Sequence, residues 1–156
     1  MKDIVPCLWF DGRAKEAVDF YAATFKHTKV GHVAHYGDGA PMPKGSVLTI
    51  ELEINGQRFL ALNGPPVFTF TPALSLIVNC ETQEEVDHFW EKLSEGGEKQ
   101  QCGWVKDKFG VSWQVVPTVL SELMRQATPA KSQKLLEAIM QMTKLDIKTL
   151  QQAYAQ

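Results

Sequence analysis

"PCLWFDGRAKEAVDFYAATF" (residues 6–25) and "LSLIVNCETQEEVDHFWEKL" (residues 74–93) decide the fold when they are laid side by side. In the first, a short apolar run stops at Asp11-Gly12, a turn signal, so Ile4–Phe10 reads as a strand. Behind it, Ala14, Ala17, Val18, Tyr21 and Phe25 recur at helical spacing, with Lys15, Glu16 and Asp19 outside. The second stretch repeats this order. Ala73–Cys80 reads as a strand, and TQEEVDHFWEKL as a helix whose apolar face is Val86, Phe89, Trp90 and Leu93. Val18, Tyr21 and Phe25 match Val86, Phe89 and Leu93 at a constant offset.

Outward from these stretches the pattern continues in parallel. Strands are predicted over Lys29–Tyr36, Ser46–Ile54 and Gln57–Leu62, with GDGAPMPKG as a loop and Asn55-Gly56 as a hairpin turn. After the second helix, closed by Gly96-Gly97, strands are expected over Lys99–Val105 and Val111–Val116. The order strand, helix, strands occurs twice, which predicts an internal duplication. The expected fold is α+β: two tandem βαβββ-type modules, about 1–66 and 67–117, making one domain over 1–117. Each sheet would be covered on one face by its helix and open on the other. Pairing the open faces would enclose a cavity, the natural place for a ligand.

From Pro117 onward the pattern is helical, so 118–156 reads as a C-terminal helical extension. Leu120, Leu123 and Met124 form one stripe. Thr128-Pro129 is a helix start leading into Leu135, Leu136, Ile139 and Met140. Asp146 is placed to cap a last helix through Ile147 and Leu150. Met140 and Met142 read as packing residues.

Composition limits the function classes. With 156 residues, 44% hydrophobic and 22% charged, the chain has an ordinary globular balance. The net charge of −2 and the scattered lysines and arginines exclude a basic face for nucleic acid. Three widely spaced cysteines, Cys7, Cys80 and Cys102, argue against a disulfide framework and suit a reducing cytoplasm. The N-terminal residues lack the apolar core of a signal peptide, and no run approaches the roughly 20 apolar residues of a membrane span. The expectation is a cytoplasmic protein without a membrane or nucleic-acid partner.

PCLWFDGRAKEAVDFYAATF, LALNG (residues 60–64), CGWVKDKFGVSWQVVP (residues 102–117) and LLEAIMQMTKLDIKTL (residues 135–150) together carry a family resemblance. The chain resembles the vicinal-oxygen-chelate superfamily, which includes glyoxalase I, bleomycin-resistance proteins and extradiol dioxygenases. Within it, the chain is similar to the PhnB-like group, often labelled 3-demethylubiquinone-9 3-methyltransferase. The resemblance implies homodimers. It also implies, for metal-dependent members, one His, Gln or Glu ligand on each of four strands.

Those ligand positions are poorly filled. In the first strand the resemblance aligns the ligand with Pro6, and Cys7 is the only donor nearby. Arg58–Asn63 offers Asn63, Ala73–Asn79 offers Ser75 and Asn79, and the last strand offers Gln114. Divalent-metal chemistry needs several such donors together, so no metal and no other cofactor is expected. His32 and His35, three apart on a strand, would face opposite sides. His27 and His88 read as surface residues. The methyltransferase label finds no support either, because no glycine-rich turn joins the first strand to its helix.

Alternation then sorts the expected cavity. Leu74, Leu76, Val78, Trp113 and Val115 would lie under the second helix. Ala73, Ser75, Ile77, Ser112, Gln114 and Val116 would face inward, opposite Pro6, Leu8 and Phe10. The candidate ligand-binding residues are Phe10, Asn63, Ser75, Cys102, Trp104 and Gln114, with no catalytic residue assigned. Three functions stay open: a metal-free binder of a small organic ligand; an enzyme of lyase, isomerase or hydrolase type using Gln114, Ser75 or Cys102; or a metal enzyme completed by a partner subunit.

Overall fold

Apolar residues at every second position of 47–63 build the first sheet, and the turn at Asn55-Gly56 sets its register. The computed structural model describes residues 2–156, which divide into two compact units, 2–69 and 70–156. The first unit runs β1 (Cys7–Phe10), α1 (Ala14–Thr24), β2 (Thr28–His35), β3 (Val47–Ile54) and β4 (Gln57–Asn63). Asn55 and Gly56 both take positive φ (47° and 83°), the turn whose twist matches a two-residue hairpin between β3 and β4. The sheet order is β1-β4-β3-β2, with β1 parallel to β4 and the other pairs antiparallel.

The second unit repeats it: β5 (Ser75–Cys80), α2 (Gln83–Ser94), β6 (Glu98–Lys99), β7 (Trp104–Lys106) and β8 (Ser112–Pro117). Its order, β5-β8-β7-β6 with β5 parallel to β8, is the first order again, so the duplication is real at the level of topology. After Pro117 come α3 (Thr118–Gln126), α4 (Pro129–Met140) and α5 (Ile147–Ala155), all within this second unit. Thr128 and Asp146 cap α4 and α5 by accepting from the Lys131 and Thr149 amides. Among the described residues, no helix is long and apolar enough to cross a membrane.

Burial follows the pleat in each unit. In the first, Leu8, Phe10, Ile50, Leu52, Phe59 and Ala61 are buried with Ala14, Ala17, Val18 and Tyr21 of α1. The opposite face carries Cys7, Trp9, Leu60 and Leu62, which the register aligns with one another. In the second, Val105, Trp113 and Val115 are buried with Val86, Trp90 and Leu93 of α2.

Four expectations are corrected. The predicted strand Lys99–Val105 is two short strands, because residues 100–104 close a turn in which the Gln100 amide donates to the Trp104 carbonyl and Trp104 N–H to that of Gln101. Leu74 is 66% exposed, since it precedes β5 in a turn and never reaches the helix-covered face. Phe89 is only half-buried and Trp90 fills the core, so the two helices present their middle turns differently. Pro6, Leu8 and Phe10 share the helix-covered phase of β1, and the uncovered phase belongs to Cys7 and Trp9.

Candidate functional site

The DKFG turn that delivers β8 is organised by a buried carboxylate. Asp107 is 2% exposed. Its Oδ1 accepts from the Phe109 amide (2.9 Å) and the Val111 amide (3.0 Å), while Oδ2 accepts from Trp113 Nε1 (2.9 Å). Three directed donors compensate the desolvated charge, so the turn and the first residues of β8 are locked together. Sequence reading placed this stretch between two expected strands and did not single out a buried acid. The available signal was an Asp three residues before a glycine, with a tryptophan six residues on.

The locked strand presents Gln114 on the face away from α2. Cross-strand partners share a face, so register places Trp104, Gln114 and Ile77 in one row and Lys106, Ser112 and Ser75 in the next. Gln114 Nε2 donates to Ser75 Oγ at 2.9 Å, a bond between neighbouring parallel strands. The Ser75 oxygen accepts there, which leaves its proton, the second amide hydrogen and the Gln114 carbonyl oxygen to offer a ligand. Gln114, Ser75 and Trp104 are half-buried, and Ile77 is 55% exposed. Lys106 stands at the outer edge, where its Nζ lies 3.8 Å from Glu98 Oε2. Three sequence candidates, Ser75, Trp104 and Gln114, are therefore brought together.

The other three are not. Phe10 is a core residue, 2% exposed on the α1 side of its sheet. Asn63, its register partner, is a structural cap: Oδ1 accepts from the Ala14 amide at 2.8 Å and Nδ2 donates to the Val47 carbonyl at 3.1 Å. Helix α1 has no side-chain cap from Arg13, so a strand residue distant in sequence supplies it. Cys102 lies in the 100–104 turn with φ of 60°, and its amide donates to the Met142 carbonyl, tying that corner to the C-terminal segment. Of the remaining thiols, Cys80 is buried, its pKa pushed up to about 12 by desolvation and by nearby Glu85. Partial burial also raises that of Cys7.

A surface depression of about 510 Å³ lies elsewhere, at the end of α2, lined by Glu91, Lys92, Ser94, Glu95, Gly97 and Lys99. It is a charged hollow crossed by the Lys99–Glu91 ion pair, with none of the candidate residues in its wall.

A family model described as 3-demethylubiquinone-9 3-methyltransferase matches residues 2–116. The chain belongs to this family. The PhnB-like assignment is supported by a solved relative, the PhnB protein from Bacillus cereus, which carries the same description. It is 35% identical, with a TM-score of 0.68 over 74% of this chain and 99% of that one. Protein PA1353 from Pseudomonas aeruginosa (24% identity, TM-score 0.63, covering 75% of this chain and 98% of that one) shares the fold. So does the fosfomycin resistance protein FosX from Listeria monocytogenes, solved with Mn(II) and sulfate (14% identity, TM-score 0.55, covering 81% and 98%). No curated protein matches the chain. The fold is thus the vicinal-oxygen-chelate type that the resemblance implied.

Metal-binding members of such a fold raise the question of whether these strands fit an ion. On the faces away from α1 and α2, β1 and β4 offer Cys7, Trp9, Leu60 and Leu62, while β5 and β8 offer Ser75, Ile77, Asn79, Ser112, Gln114 and Val116. Those strands hold no imidazole or carboxylate there. Among the described residues, no group of three or more His, Cys, Asp or Glu is placed to hold a metal ion. The residues do not fit the metal of the fold family, because neutral amides and hydroxyls compete weakly with water for a divalent ion.

Proposed function

We propose that this PhnB-like chain binds a small organic molecule on the face of its second sheet that lies away from α2, without a metal. The observation that carries this reading is the Gln114–Ser75 hydrogen bond beside Trp104 on a half-buried face. The pair offers donors and one acceptor within a few ångströms, and Trp104 and Ile77 supply apolar surface in the same row. A flat or amphipathic molecule matches this combination: its body lies on the indole and Ile77, while a carbonyl or similar group meets the Ser75 hydroxyl and the Gln114 amide. The family's methyltransferase description supports no step here. Both sheets are mixed, whereas nucleotide-type cofactors usually sit at the strand ends of an open parallel sheet.

The test is a thermal-shift screen against aromatic and amphipathic metabolites, run beside elemental analysis of protein purified without chelator. A specific ligand raises the midpoint with concentration, and Gln114→Ala abolishes the rise. One stoichiometric transition-metal ion per chain, or a ligand shift untouched by Gln114→Ala, would overturn the reading.

A further inference from the structure

The segment after α4 touches the turn that precedes Trp104. The Cys102 amide donates to the Met142 carbonyl (2.9 Å), and the Gly103 amide donates to that of Thr143 (2.7 Å). The carbonyl of the same Gly103 accepts from the Val115 amide at 2.8 Å, one residue after Gln114. A single residue thus joins the C-terminal segment on one side to β8 on the other. Leu145 seals the joint. It is 1% exposed, and a Cβ built on Gly103 would fall 3.0 Å from Leu145 Cγ and 2.9 Å from the Val115 oxygen. Gly103 also has φ of 81°, so this position admits glycine on two independent grounds.

The other side of the segment is clamped by α2. Gln83 Nε2 donates to the Leu145 carbonyl (3.2 Å), and Gln83 Oε1 accepts from the Ile147 amide (2.9 Å). Lys144 pairs with Asp87 at 2.7 Å. Each of these contacts joins a residue inside the family match, which ends at residue 116, to a segment outside it.

We propose that residues 142–147 act as a strut that positions Trp104 against Gln114, with Gln83 and Gly103 as its two anchorages. Its functional meaning rests on the ligand face proposed above: what disturbs the strut disturbs that face, although no residue of the strut belongs to it. Cys102 gives an independent sign of the same constraint. A non-glycine residue at φ of 60° is unfavourable by itself, and here its backbone is held by the Met142 carbonyl.

The test needs no ligand, so its failure is distinct from failure of the binding proposal. In the full chain, Gln83→Ala removes both side-chain hydrogen bonds to the segment and leaves the ligand face chemically intact. Backbone hydrogen exchange is measured together with ¹⁹F NMR of 5-fluorotryptophan-labelled protein, with Trp104→Phe assigning the Trp104 resonance. Exchange at the Gly103 and Val115 amides is expected to rise by about tenfold. The Trp104 resonance should shift or broaden while that of Trp9, in the other unit, stays fixed. Gln83→Glu keeps an acceptor for the Ile147 amide but turns an oxygen toward the Leu145 carbonyl and the Asp87 carboxylate, so it should disturb the segment at least as much as Gln83→Ala. Lost protection over 143–147 with Trp104 and Val115 unchanged would overturn the proposal, making the extension a passenger. If Gln83→Ala unfolds the unit, Lys144→Ala, which removes only the ion pair to Asp87, is expected to give the same pattern more weakly. An unmoved Trp104 in that variant would likewise refute the strut.

Discussion

Replacing Asp107 by alanine is the sharpest test of how the Gln114 strand is held. The substitution removes the acceptor of three donors, the Phe109 and Val111 amides and the Trp113 indole, at a site where Val111 and Trp113 are each 4% exposed. A buried donor left without a partner costs about 1–3 kcal/mol. Phe109 is half-buried, so water can replace the acceptor there and that share is discounted. The carboxylate's own desolvation, no longer incurred, offsets a further part. The expected loss is about 3–5 kcal/mol, a large fraction of a typical 5–15 kcal/mol total. Urea unfolding followed by circular dichroism measures it, with an unchanged slope confirming that the same surface is exposed. Asp107→Asn sharpens the argument. Its carbonyl can serve the two amides, but its NH₂ then faces the Trp113 N–H, donor against donor. Trp113→Phe removes that conflict, so the double variant should be more stable than the sum of the single losses predicts, by roughly 1 kcal/mol or more. Additive losses, or an Asp107→Ala variant within about 1 kcal/mol of wild type, would refute the account of the turn.

Two further outcomes follow from the contacts of the first unit and of the C-terminal segment. Asn63→Ala deletes the cap on the Ala14 amide and the bond to the Val47 carbonyl, and is expected to cost about 1–3 kcal/mol in urea unfolding while leaving any ligand shift intact. A lost ligand shift in a folded Asn63→Ala protein would return Asn63 to the binding face. Asp87 has its pKa lowered chiefly by its hydrogen bond with Lys144, then by that with Gln83, and Asp146 by its bonds from the Thr149 side chain and backbone. A lowered folded-state pKa contributes stability above the ordinary carboxylate value of about 4, which is lost as pH falls through the lower folded value. Hydrogen-exchange protection over 143–155, taken relative to the unstructured chain at the same pH, should therefore fall below about pH 4, ahead of that of the sheets. Loss of protection in β8 before α5 would contradict it.

The repeat, the two helices, the hairpin and the cap residues Thr128 and Asp146 were legible in the sequence, because each rests on contacts a few residues apart. The sorting of the second sheet was legible too: Leu76, Val78, Trp113 and Val115 take the α2 phase, and Ser75, Ile77 and Gln114 the other. The same alternation applied to β1 came out inverted. Its four residues, CLWF, are apolar in both phases, so period-two patterning there carries no information about which face the helix covers. Asn63 went the same way, since an amide at a strand end looks alike whether it meets a ligand or caps a helix 49 residues earlier.

What the chain's own sequence determined is the duplicated α+β frame, through hydrophobic periodicity and local turn chemistry. Only the tertiary structure decided which polar groups are structural and which are available. Asp107 and Asn63 spend their hydrogen bonds on the fold, while Gln114 and Ser75 bond to each other and keep capacity to spare. The physical reason is that satisfying a buried polar group is a long-range matter: its partner can lie anywhere the folded chain returns, and spacing along the sequence does not record it.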